Sequence, residues 1–135
     1  MKRKIIAVAV GASLTFAAGL IVAQAPALTR TLVTKGDISV PGREAVIMRV
    51  EIAPGGVSGW HTHPGDEASL VAEGETTLIV AGQPPHKFKA GEGFVIPAGT
   101  VHNAKNESTA PAKLVGMYFV EKGKPLASPA AEPGK

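Results

Sequence analysis

The sequence predicts an all-β domain, a sandwich or barrel of short strands. Three observations carry this expectation. Glycine and proline are dense, with 16 Gly and 11 Pro among 135 residues, and such punctuation disfavours a helical bundle. Apolar and polar residues alternate with period two, as in Val46, Met48, Val50 and Ile52 against Ile47, Arg49 and Glu51, which marks a half-buried strand. Turn signals recur roughly every 8–12 residues, with no helical period of useful length.

The elements follow in order. Residues 28–40 read as an entering strand with a polar bend at Lys35, Gly36 and Asp37, closed by the Pro41-Gly42 turn. The alternating strand 46–52 stops at Ala53-Pro54-Gly55-Gly56. Strands at 68–72 and 76–81 flank a tight turn at Glu73-Gly74. Gly82-Gln83-Pro84-Pro85 closes a hairpin onto 86–89, and 94–96 ends at Pro97-Ala98-Gly99. Strands at 101–106 and 112–121 complete the domain. The tail, 122–135, carries Pro125, Pro129 and Pro133 and is expected to be mobile beyond its first few residues. By parity, Met48, Phe94, Ile96, Met117 and Phe119 are expected to line the interior. Arg49 and Tyr118 fall on the opposite parity of their strands.

Composition narrows the function. The length fits one domain. The absence of cysteine excludes a disulfide scaffold, a thiolate metal site, a cysteine nucleophile and a lipoprotein anchor. Lys2, Arg3 and Lys4 precede an uncharged apolar run, 5–23, and small residues at Ala23, Ala25 and Ala27. This pattern predicts a signal peptide over 1–27, cleaved near Ala27 or Ala25, with an uncleaved anchor as the rival reading. The formal charge of +3 lies wholly in that segment. Residues 28–135 balance to zero, so a nucleic-acid partner loses its support, and a membrane partner is expected only through an uncleaved leader.

Chemistry concentrates in few residues. Of four histidines, two stand as His61-Thr62-His63, and i and i+2 on a strand face one way. Glu67 follows across Pro64-Gly65-Asp66, where the chain can bend back. His102 heads a later strand after Pro97-Ala98-Gly99. Three imidazoles and a carboxylate suit one borderline divalent metal such as Fe, Mn, Ni, Zn or Cu. Each candidate has a blander reading. His86 lies outside the cluster and reads as exposed. Trp60 reads as packing in the core or at a subunit interface. Asp66 reads as a partner for a ligand histidine or as solvated. No Arg, Lys or Ser beside the cluster suggests a clamp for an anion, so a small, weakly polar ligand is expected.

The spacing resembles the cupin pattern. Its first motif is matched by Gly55, His61, His63, Glu67 and Gly74, and its second by Gly91, Pro97, Gly99, His102 and Asn106. The chain looks most like small single-domain bacterial cupins with a His-Thr-His-Pro-Gly segment. The resemblance implies a jelly-roll β-barrel over 28–121, with His61, His63, Glu67 and His102 as metal ligands. It also implies metal-dependent enzyme chemistry, dioxygenase before lyase or isomerase. Glu67 is the candidate catalytic acid or base if it swings off the metal. A non-catalytic small-molecule-binding or structural cupin is the alternative. Homodimer formation through the edge strand 28–40 and a periplasmic or secreted location complete the expectations.

Overall fold

The computed structural model describes residues 27–134. The leader assigned to 1–27 therefore lies, apart from Ala27, outside the described residues. Ten strands form two five-stranded antiparallel sheets. In chain order they are β1 (Leu28–Asp37), β2 (Arg43–Ile52), β3 (His61–Thr62), β4 (Gly65–Glu73) and β5 (Glu75–Val80). β6 (His86–Lys89), β7 (Gly93–Ile96), β8 (His102–Lys105), β9 (Ala112–Glu121) and β10 (Ser128–Pro129) follow. One sheet has the order β1-β2-β9-β4-β7, the other β10-β3-β8-β5-β6. No helix occurs among the described residues. The all-β jelly roll is thus observed; β2 and β4 are longer than the sequence suggested, β1 and β8 shorter. β4 begins at Gly65, so Glu67 sits within a strand. β1 runs straight through Lys35, Gly36 and Asp37, and its irregularity falls between Leu32 and Thr34.

The core lies between the sheets. Val50, Ile52, Val71, Ala112 and Leu114 form one buried cluster, with Met48 and Phe94 packed against it. Val46, Tyr118 and Val120 form a second. Burying such side chains is the main source of stability, at roughly 1.5–3 kcal/mol each.

One parity assignment is corrected here. On β9 the inward residues are Ala112, Leu114, Tyr118 and Val120, while Phe119 is 39% exposed and Met117 only half-buried. The strand is apolar on both faces, so period two fixed the alternation but not which face points in. Tyr118 is an interior residue, opposite Val46 and Glu67 in the register.

Two glycines position the site. A Cβ on Gly65 would lie 2.0 Å from the Phe119 carbonyl oxygen. Only glycine lets β4 close on β9 here, which sets the depth of Glu67. Gly99 has φ of 72° and donates its N–H to the His63 carbonyl at 3.0 Å. That bond ties the turn before His102 to the segment carrying His63. Asn106 acts as the expected brace: its Nδ2 donates to the carbonyls of Ile52 (2.9 Å) and Ala110 (2.7 Å), and its Oδ1 accepts the Ser108 N–H at 3.0 Å.

The tail expected to be mobile instead docks on the barrel. β10 pairs with β3, placing Pro129 opposite His61. The Ala130 N–H donates to the Trp60 carbonyl at 2.9 Å, and Leu126 packs against the second core cluster. Three prolines suggested disorder, but one apolar anchor and edge pairing are enough to hold the segment.

Candidate metal centre

The register brings the histidines together. His61 on β3 lies directly across from His102 on β8. His63 follows immediately after β3, and Glu67 reaches in from β4. All four are buried: His61 7%, His63 4%, Glu67 7% and His102 2% exposed. One ligand atom from each of the three histidines lies within 4.8 Å of the others. Three buried imidazoles so arranged could hold a metal ion.

The orientation of each ring is fixed from behind. Nδ1 of His61 donates to the Gly59 carbonyl at 2.8 Å, that of His63 to Leu126 at 2.5 Å, and that of His102 to Thr100 at 2.9 Å. A carbonyl oxygen only accepts, so each of these nitrogens carries the ring proton. In the neutral, metal-binding form of each ring Nε2 is then a bare lone pair. Nε2 of His63 stands 2.9 Å and Nε2 of His102 stands 3.4 Å from Oε2 of Glu67, and neither nitrogen has a hydrogen-bond partner. Buried lone pairs facing a carboxylate repel unless a proton or a metal cation sits among them. The donor set fits a divalent cation: three neutral nitrogens and one anionic oxygen.

Ionisation agrees with this geometry. Burial pushes the His61 pKa down to about 4, against the bond to Gly59 and with the help of His102, His63 and Arg30, so the ring is neutral at pH 7. Burial alone would raise the Glu67 pKa. A positive charge shared with His102 and His63, a proton or a metal ion, together with the Ser69 hydroxyl bond, outweighs it and holds the carboxyl well below the usual range. The Ser69 hydroxyl donates to Oε1 of Glu67 at 2.6 Å, which leaves Oε2 for the histidine side.

The other candidates separate cleanly. His86 is exposed and packs at a tilt against Phe88 with ring centroids 4.5 Å apart. Asp66 does not brace a histidine. Its Oδ1 accepts the Ala98 N–H at 2.9 Å, and the histidine partners are backbone carbonyls that no side-chain pattern reveals. Trp60 is half-buried beside the docked tail.

Three residues beside the cluster escaped the sequence reading. Ser69 stands at i+2 from Glu67, on the same face of β4. Tyr118 shares the parity of Leu114 and Val120, and its ring lies 4.8 Å from that of His63. Burial and the charge of Glu67 raise its pKa, while Arg30 opposes the rise, so the phenol keeps its proton. Arg30 sits at the apolar parity of Leu28 and Leu32 on β1, a mismatch that could have flagged it. The cavity over the cluster is small, about 30 Å³, and is lined by Arg30, His61, Glu67, His102 and Tyr118 beside apolar residues. The fold thus brings one arginine, Arg30 on β1, into this lining from far away in sequence.

A strand jelly roll with a buried histidine cluster that could hold a metal defines a β-barrel of the cupin class. Residues 48–121 match the family model for the cupin domain, and the chain belongs to that family. It is 35% identical over 100 residues to Nectarin-1 of Nicotiana langsdorffii x Nicotiana sanderae, a match covering 65% of this chain and 42% of the relative. It thus spans about two-fifths of that protein's length. Its fold is similar to a Klebsiella pneumoniae protein with a double-stranded β-helix domain. That similarity has a TM-score of 0.65 at 22% identity and covers 78% of this chain and 85% of the other. It is also similar to an oxalate oxidase crystallised with glycolate (TM-score 0.63, 26% identity, 79% of this chain and 57% of that one).

Proposed function

We propose that this chain is a metal-dependent enzyme, dioxygenase-like, that uses dioxygen to oxidise a small organic molecule. The observation that carries the proposal is the cluster of three buried imidazoles, each held at Nδ1 by a backbone carbonyl, of which His63 and His102 turn Nε2 toward one buried carboxylate. Similarity to an oxalate oxidase supports it.

His61, His63, His102 and Glu67 would hold one divalent transition metal. Bound there, it supplies Lewis acidity and, if it is iron, manganese or copper, one-electron redox chemistry. Burial keeps His61 neutral and ready to donate. Ser69 fixes the Glu67 carboxylate, whose low pKa suits a ligand better than a proton acceptor. Glu67 is nonetheless the only carboxylate lining the cavity, and so the one acid or base candidate among the ligands. Tyr118 keeps its proton and can donate a hydrogen bond into the cavity. Apolar walls of Val50, Ile52 and Leu114 exclude bulk water.

Export belongs to the same proposal, on the basic and then apolar pattern of residues 2–23. So does homodimer formation, since β1 is a sheet edge with Leu32 and Val33 about half exposed.

The test is oxygen uptake by fully metal-loaded protein across small carboxylic acids, phenols and diketones. Uptake with a stoichiometric product, absent in His102→Ala, is expected. A loaded protein that turns over none of them favours a binding cupin whose metal staples the barrel.

A further inference from the structure

Arg30 occupies a position that barrel stability does not explain. The alternation of β1 turns Leu28 toward the core, and Arg30 shares its parity. The side chain lines the small cavity that holds His61, Glu67 and His102. It also lines a second, outer pocket of about 300 Å³ between Ser58, Trp60, Ala127 and Pro129. Ser58 and His61 line both as well. Arg30 therefore stands at the neck between solvent and the metal cluster.

A guanidinium there has donors to spare. Its Nε is fully buried without a hydrogen-bond partner, and none of the ion pairs among the described residues includes it. The Tyr118 hydroxyl lies close enough to feel it. Both side chains line the small cavity; arginine can only donate, so toward Tyr118 it meets only the phenol oxygen, and the phenol proton is left for another acceptor. Five N–H groups in a planar fork match a carboxylate in two-point geometry. A buried unpaired donor beside a cationic metal is costly until an anion arrives.

We propose that Arg30, with the Tyr118 hydroxyl, is the recognition clamp for a small carboxylate that reaches the metal through the outer pocket. This rests on the metal-centre reading above. It replaces the weakly polar ligand class expected from sequence with an anionic one. The cavity volume limits the bound part to a few heavy atoms. Leu78 and Phe94 wall the same cavity from a separate outer groove. That groove is lined by no lysine or arginine, so the anion is expected on the Arg30 side.

The experiment is calorimetric titration of the full, metal-loaded protein with glycolate and with glycolamide, which match in size and differ in charge. The parent chain is expected to bind glycolate at least about tenfold more tightly. Arg30→Gln should reduce that preference, leaving only what the metal supplies, and Arg30→Lys should restore part of the loss, with metal content by elemental analysis unchanged in both. Equal affinity of the parent for the two probes, no binding of either, or an undiminished preference in Arg30→Gln overturns the clamp. Repeating the titration on chelated protein separates the two readings. A preference supplied by the metal vanishes with it, whereas one supplied by Arg30 persists. If the parent takes up no metal, the metal reading fails on its own, and the Arg30→Gln comparison still decides the clamp.

Discussion

His61 shows how one residue couples burial to chemistry. Its ring is neutral because burial disfavours the charged form, and the neutral ring is the metal-binding form. The folded pKa of about 4 lies below the ordinary 6.5, so the unfolded chain binds more protons between those values. The stabilising contribution is therefore whole above pH 6.5 and lost as pH falls toward 4, by an amount of order a few kcal/mol. Urea melts of metal-free protein at pH 7, 5.5 and 4 should show the midpoint dropping across that window. His61→Gln should flatten the drop, and a parent midpoint constant over the same range contradicts the assignment. Glu67 acts in the same direction but below the ordinary carboxylate range. Ser69 is the quieter partner. Ser69→Ala removes the 2.6 Å bond to Glu67 and should weaken metal affinity about ten- to a hundredfold, as read by competition with a chromophoric chelator. An unchanged affinity would make the serine a packing residue only.

At the scale of elements, the site depends on segments that carry no ligand. The Leu126 carbonyl holds Nδ1 of His63, and β10 pairs with the strand bearing His61. Ending the chain at Pro125 removes both. The two main sheets should survive, since the pairing of β9 with β2 and β4, and of β5 with β6 and β8, does not involve the tail. Metal affinity is expected to fall about ten- to a hundredfold with the far-ultraviolet circular dichroism unchanged. Full affinity in the truncated chain would show that the ring is held by other means. This is also where sequence fell short. The motif spacings located His61, His63, Glu67 and His102, because turn glycines and strand period are local signals. The Leu126 contact spans 63 residues and uses a backbone atom, so no residue type announces it.

The whole molecule is two sheets closed over a small polar centre. Its class was legible because punctuation and period two are properties of the chain itself. Which face of β9 points inward was not, because Met117 and Phe119 are as apolar as Leu114 and Val120, and only sheet pairing breaks the tie. Arg30 was missed for a related reason: it is far in sequence from every ligand and is delivered by the fold. The exposed edge of β1 has its own consequence. Light scattering should give a dimer mass for the metal-loaded protein, and Leu32→Glu should shift it toward monomer. A monomer at all concentrations would leave that edge uncovered.

The proposed set of His61, His63, Glu67 and His102 would hold one ion, and elemental analysis of purified protein reads that ion directly. About one divalent transition metal per chain is predicted for the parent, with most of it lost from His61→Ala and from His102→Ala in protein that still folds. A parent with far less than one ion per chain, or variants that keep the parent's content, would contradict the metal centre.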